Sequence, residues 1–525
     1  VKRATFMAAV ALAVAVAACS GEAKAPPAAP LSEVGSAPVP AAAPAPPPRT
    51  ASAPSARVLP GAALHGDVVT LRRTFEALHP GLHRYNTAAE LDAAFADLDA
   101  SVRDGATLAQ AFLAFSVLAT KLRCGHTFLN PTNQSDEVRR ALFTGPHLPL
   151  TFRWRDGRIV VTGSTSPEVG IIRGTEITAI DGVPAREILA RLLTVSRADG
   201  ANDDKRVANL DRRDGETNQL FDIAFPLFYP RSSDRFVLDV VPPGEQARRV
   251  TVRGARDEAT DAAPPSAASP TDPALWSLRF LDEHTGYLAM PSWVTYHGKW
   301  DWKGDLHRVF ADLAARHATS LIVDLRGNEG GTDVGNDILG HYLDAPLPLA
   351  GLERWTRYRR VPDDLRPNLD TWDKSFFDWG ASAEPLGDGF FRLTKYDDGP
   401  QGDTLLPLQP RARAKLVVLV DAENSSATFQ FAQVVQQRHL GTLIGEPTGG
   451  NQRGINGGAF FFLRLPGSGL EIDLPLIGRF PRGGHPERLP DAGLTPDVVV
   501  RATAADIAAG RDPVLAAARV AALPR

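Results

Sequence analysis

Two short segments hold residue types that could carry out acyl transfer. The first is "LIVDLRGNEGG", Leu321 to Gly331. Leu321, Ile322, Val323 and Leu325 suit a strand covered on both faces, and Gly327, Gly330 and Gly331 impose an abrupt turn directly after it. A glycine pair there leaves backbone N–H groups bare. It is either a plain turn or a set of donors for negative charge, standing or developing during a reaction. The second is "VVLVDAENSSATFQFAQVV", Val417 to Val435. An apolar strand ends at Val420, a polar loop follows, and Ser425-Ser426-Ala427 opens a helix. A serine in that place has unpaired helix N–H groups and the positive end of the helix dipole beside it. Helix capping is an equally good use for it, since serine is a favoured cap.

The elements that must position these residues alternate between strand and helix. Strand "TGYLAM", a helix around Leu306 to Ala315, strand "SLIVDL" and a helix from Val334 to Tyr342 come first. Strand "KLVVLV", a helix from Ser426 to Gln437 and strand "GTLIG" follow. Such βα repetition predicts a parallel sheet. Upstream, Val68, Leu71, Phe75 and Leu78, then Leu91, Phe95, Leu98 and Val102, keep helical spacing. Thr87-Ala-Ala-Glu90 and Thr107-Leu-Ala-Gln110 are capping boxes that open the second and third helices. "RCGHTFLNP" comes straight after the third. Between Leu148 and about Arg253 the pattern changes to short strands. Within it "GIIRGTEITAIDGVPAREIL", Gly170 to Leu189, resembles the second half of a PDZ domain, a module that accepts the C-termini of other polypeptides by strand addition.

Taken together, the motifs resemble the S41 serine peptidases, the family of C-terminal processing (tail-specific) peptidases and the tricorn core. "TGYLAM" is similar to the family's Gly-Tyr-Leu strand, "DLRGNEGG" to its Asp-Leu-Arg-x-Asn-x-Gly-Gly turn and "SATFQFA" to its nucleophile helix. "GEPTGG", "GLTPDVVV" and "RDPVLAAA" follow in family order. The resemblance implies an α/β fold, an S41-type catalytic domain with a βα-repeat, ClpP/crotonase-like core, preceded by a helical N-terminal domain and a PDZ-like β domain. The expected division is 61–145 helical, 146–255 PDZ-like, 256–273 linker and 274–525 peptidase. It also implies Ser426 as nucleophile, with the backbone N–H of Ala427 and of Gly330 or Gly331 as oxyanion hole. Arg326 and Asn328 are expected to fix the turn, and Asp324 to brace its strand.

Two departures from the family pattern matter. The Ser–Lys members place a lysine about 25 residues after the serine, but that position here is Asn451, and no lysine follows Lys415. The acidic residue usual three positions after the serine is Phe429. The tricorn-like branch instead uses a histidine from the upstream helical region, and "CGHTF" resembles that site. His126 is therefore the expected base, with Asp491 favoured over Glu487 as the orienting acid. A histidine there could equally cap helix-end carbonyls. Cys124 is read as buried and inert. The aromatic segment from Glu353 to Phe391 fits a substrate-contacting insertion or an extra patch of core.

Composition bounds the remainder. The 525 residues, 43% hydrophobic and 22% charged, describe a multidomain globular protein. A net charge of −4 gives no electrostatic case for nucleic acid. Two cysteines support neither a disulfide framework nor a thiolate zinc site, and no cofactor or metal is expected. Lys2 and Arg3 precede a short apolar run ending "VAAC", so residues 1–19 resemble a bacterial lipoprotein signal with Cys19 as the lipidated residue. Residues 20–60, rich in Ala and Pro, fit an extended tether. The expected location is the cell envelope, anchored to a membrane and facing periplasm or exterior, with Ser20 after the cysteine favouring the outer membrane. The expected partner is a peptide or an unstructured protein tail, recognised through a free C-terminus. The rival reading is a non-catalytic binding lipoprotein on the same fold.

Overall fold

The computed structural model describes residues 58–164, 170–214, 216, 218–256, 276–296, 300–349, 352–397 and 404–523. The expected signal, Cys19, the tether up to residue 57 and nearly all of the 256–273 linker lie outside the described residues.

A six-stranded sheet forms where βα repetition is written. Its order is Val498–Val499, Gly441–Gly445, Lys415–Val420, Ser320–Asp324, Thr285–Ala289, Ser277–Phe280. All pairs are parallel except the last, which is antiparallel. Alternate side chains divide between two cores, as strand geometry requires. Leu321, Val323, Leu416, Val418 and Val420 pack with Phe310, Ile338, Phe431 and Val435 of the helices Trp302–Ala315, Val334–Gly340 and Ser426–Gln437. Ile322, Val417, Leu419 and Ile444 pack on the opposite side against Val514, Ala518 and Ala522 of the helix Pro513–Ala522. Covering both faces explains why these strands are unbroken apolar runs.

Besides the two-stranded pairs Val58–Leu59 with Ala106–Thr107 and Leu347–Pro348 with Thr404–Leu405, two larger antiparallel sheets accompany it among the described residues. One runs Leu369–Asp370, Asn456–Arg464, Glu471–Pro481, Leu352–Thr356, Phe390–Leu393, Ala383–Gly387. The helices Gly61–Leu78, Ala88–Val102 and Leu108–Lys121 lie on it, and the latter two open with the expected capping boxes. This helical region closes no core of its own. Its Phe75, Leu98 and Phe115 belong to one hydrophobic cluster with Phe461, Leu474, Tyr358 and Trp379. The aromatic segment from Glu353 to Phe391 is therefore partly strand and partly core. The other sheet contains Leu150–Arg155, Arg158–Ser164, Glu176–Ile180, Arg235–Val241 and Arg248–Arg253, backed by the helices Ala185–Leu192 and Leu220–Phe228.

Candidate active site

Ser320–Asp324 and Lys415–Val420 are adjacent parallel strands, with Asp324 opposite Leu419. The glycine turn and the serine loop leave the same carboxyl edge of the sheet, which is where open α/β sheets place their ligands. Their meeting is a consequence of strand order.

Asparagines lace the two segments together. Asn424 Nδ2 donates to the carbonyls of Leu325 (2.6 Å) and Asn328 (3.0 Å). Thr428 Oγ1 donates to Asn328 O at 2.9 Å. Asn328 Nδ2 ties the turn to Met290 O at 2.7 Å, and its Oδ1 accepts the Gly330 amide at 2.9 Å. Asp324 braces as expected, accepting from Tyr287 Oη at 2.6 Å and from Arg326, which also bonds Asp512.

The turn is pressed onto the serine. A methyl group added to Gly330, at φ +108°, would lie 2.8 Å from the Ala427 amide nitrogen and 3.0 Å from Ser426 Cβ. Ser426 itself is half-buried at φ +51°, a left-handed conformation uncommon for a non-glycine residue. The capping alternative is not realised, because neither serine side chain accepts a bond from an amide of the first helix turn. Ser425 Oγ instead donates to Glu329 O at 3.2 Å. Among the described residues the amides of Ala427 and Gly331 have no acceptor in the protein, whereas that of Gly330 is held by Asn328.

His126 follows the third helix, and its loop is anchored on both sides. His79 Nδ1 accepts the Gly81 amide at 3.1 Å, which leaves Nε2 to donate to Thr127 Oγ1 at 2.9 Å. Asp199 accepts the Gly125 amide at 2.9 Å, and Arg197 donates to Gly125 O at 2.7 Å. Burial pushes the His126 imidazole below its ordinary value, and the Asp199 carboxylate pulls it partly back. His126 Nδ1 is buried without a partner. Glu329, next to Gly330, lies within electrostatic reach of His126. Desolvation by the packed neighbours of this otherwise exposed side chain would raise its carboxyl, yet Lys205 and Arg197 hold it low; Lys205 Nζ bonds it and Arg197 stands 3.6 Å away.

The structure thus brings Ser426, Ala427, Gly330 and Gly331 together and ties His126 to them through Arg197 and Glu329. Asp491, expected to orient the imidazole, is placed elsewhere. Its oxygens accept from Arg123 (2.7 Å), Asn451 Nδ2 (2.8 Å) and the Ala201 amide (2.9 Å). Glu487 is exposed beside His485. Asn451 is fully buried and pins Asp199 O as well as Asp491. Sequence reasoning missed Arg197 and Asp199, which sit in a loop with no motif, and Lys205, which sits in the short helix Asp203–Ala208 that follows it. Cys124 is buried, accepts from Asn456, and has its thiol pushed up by burial, as befits an inert residue. Among the described residues no group of three or more His, Cys, Asp or Glu could hold a metal ion.

A half-buried serine in a left-handed turn thus stands beside free amides at the carboxyl edge of a parallel sheet, an arrangement with the parts that acyl transfer requires. Residues 284–500 match the model of peptidase family S41. No curated protein matches the sequence. Among solved structures, mature CPAF complexed with lactacystin aligns at 16% identity and TM-score 0.58, over 86% of this chain and 95% of that one. The crystal structure of mature CPAF aligns at 16% and 0.53, over 85% and 94%. The photosystem II D1 C-terminal processing protease gives 13% and 0.38, over 83% and 93%. The likeness to CPAF is one of fold.

Proposed function

We propose that the protein is a serine peptidase that cleaves peptides or unstructured protein tails through an acyl-enzyme. The observation that carries this reading is the contact of the Gly330 turn with Ser426 and the Ala427 amide. Ser426 Oγ attacks the scissile carbonyl carbon and passes its proton to His126. The oxygen, now negative, is received by the N–H groups of Ala427 and Gly331. Gly330 serves by close approach, since its own amide is already bonded to Asn328. Collapse of the intermediate breaks the C–N bond, and the imidazolium returns the proton to the departing amine. Water then repeats the sequence on the ester. Asp199 is the carboxylate that favours the imidazolium, and Asp491 serves by holding the loop that carries Asp199.

The enzyme acts in the cell envelope, held by acyl groups on Cys19, with the outer membrane favoured. The support is the N-terminal "VAAC" sequence. Among the described residues no helix is long and apolar enough to cross a membrane.

The test is covalent labelling with a fluorophosphonate, located by mass spectrometry, alongside peptide hydrolysis. Label on Ser426 is expected, with losses of roughly 10⁴-fold or more in Ser426→Ala and His126→Ala if the pair acts as one unit. A folded protein that neither takes the label nor cuts peptides would be a binding protein. A fully active His126→Ala enzyme would remove the base assignment alone.

A further inference from the structure

Beside the glycine turn lies a cavity of about 410 Å³, inside the roughly 300–1,000 Å³ typical of ligand pockets. One wall is the turn itself, Gly327, Glu329 and Gly330. The facing wall comes from outside the peptidase domain: Phe112 and Leu113 of the helix Leu108–Lys121, and Leu220, Ile223 and Ala224 of the helix Leu220–Phe228. Pro291, Asn218 and Glu329 are exposed at its rim.

The two arginines that border this cavity are paired with carboxylates, and Asp211 in its lining accepts the Trp154 amide at 2.7 Å while burial pushes its carboxyl up to about 6. Arg213 is bonded to Glu423 and stands 3.5 Å from Glu216. Arg197 stands 3.6 Å from Glu329 and stacks on Phe128 at 4.2 Å. An anionic guest would find no free cation there, and any charged guest would lose its hydration. An apolar guest would bury surface against two helices and the aromatic ring of Phe112. The same Gly330 that lines the cavity touches Ser426 and Ala427, so a side chain in it belongs to a residue next to the reacting carbonyl.

Resting on the peptidase reading above, we infer that this cavity takes an uncharged, bulky apolar side chain, of the leucine or phenylalanine class, flanking the scissile bond. Specificity is then set by the helices upstream of the peptidase domain, and charged residues are refused at that position.

Two measurements on the full-length protein test it. The first is digestion of an unbiased peptide mixture, with cut sites read by mass spectrometry, followed by kcat/KM on a peptide pair differing as Leu or Ala at the flanking position. One methylene in such a pocket is worth roughly 10–200-fold, so the Leu peptide should lead by at least tens of fold. Ala224→Trp, which fills the cavity, and Leu220→Lys, which places a charge in its wall, should each bring that ratio close to one, with thermal melts confirming the fold. Cut sites without apolar enrichment, or an unchanged Leu/Ala ratio in both variants, would overturn the inference. The second measurement is equilibrium binding of a fluorescent Leu-containing peptide to Ser426→Ala protein, with and without Leu220→Lys. Weakening of tenfold or more supports the cavity even if the wild-type protein hydrolyses nothing, and equal affinity overturns it. Failure of the peptidase reading shows instead as the absence of label on Ser426.

Discussion

Gly330→Ala is the substitution that most directly tests the contact on which the mechanism depends. The new methyl would sit 2.8 Å from the Ala427 nitrogen, while ordinary contact begins at 3.4 Å, so turn and helix start must part by about 0.6 Å (3.4 − 2.8). Two of the nearest neighbours, Ala427 N and Ser425 O, are backbone in a segment held by Asn328, Asn424 and Thr428, and neither can swing aside as a side chain would. Loss of one oxyanion donor costs roughly 10²–10³ in kcat, or about 3–4 kcal/mol, and a misplacement of this order near the chemistry is of similar effect. KM should change little, because the oxyanion exists only after attack. The left-handed φ of +108° adds strain of about 1–3 kcal/mol. Gly469→Ala separates the two effects: its φ is +74° but a methyl there meets nothing within 4 Å. The assay is steady-state hydrolysis, normalised to the melting temperature of each variant. A folded Gly330→Ala enzyme retaining kcat within about threefold would refute the oxyanion geometry.

Other expectations follow from the charges and ends of the protein. Hydrolysis should fall on the acid side with an apparent pKa below about 6.5, because burial lowers His126; Asp199→Asn, which removes the carboxylate that raises it, should move that limb further to acid and lower kcat. A limb that stays in place in Asp199→Asn would exclude electrostatic coupling of the two. His79, buried and lowered to about 3, is a group whose folded-state value is depressed, so its stability contribution is present above about 6.5 and lost as pH falls toward 3. His79→Asn should therefore be less stable than wild type at pH 7.5, with the gap closing by up to about 1.4 kcal/mol per pH unit below 6.5 in denaturant melts. Cys19→Ser should release the protein from membranes, and retention after a salt wash would contradict the anchor. Peptides with a free C-terminal carboxylate should be cleaved faster than their amides if the 146–255 region captures peptide ends, and equal rates would remove that part of the proposal.

How much of this was readable before folding depends on whether a residue's work is local. The strands Ser320–Asp324 and Lys415–Val420 and the helix Ser426–Gln437 announce themselves because periodicity and glycine punctuation are short-range properties, and the element bounds agree. Gly330 was legible as a bare turn, but which amide stays free was not. That depends on Asn328 curling back on Gly330, a choice of rotamer. The strand Glu471–Pro481 was hidden because Pro475 reads as a breaker; it stands opposite Phe460, next to the register shift that begins at Gly457, where a bulge tolerates it. Arg197, Asp199 and Lys205 left no trace, since isolated charged residues in a polar stretch of sequence look like solvated surface. Only the closed fold shows Asp199 1% and Lys205 2% exposed. Such residues are buried because each has a partner in a loop distant in sequence: Gly125 for Asp199, Glu329 and the Glu423 carbonyl for Lys205. An acid chosen from its place near the C-terminus, as Asp491 was, names a kind of partner without its location. The imidazole responds to the carboxylate that the fold sets near it, and in this protein that carboxylate arrives from the loop that precedes the helix Asp203–Ala208.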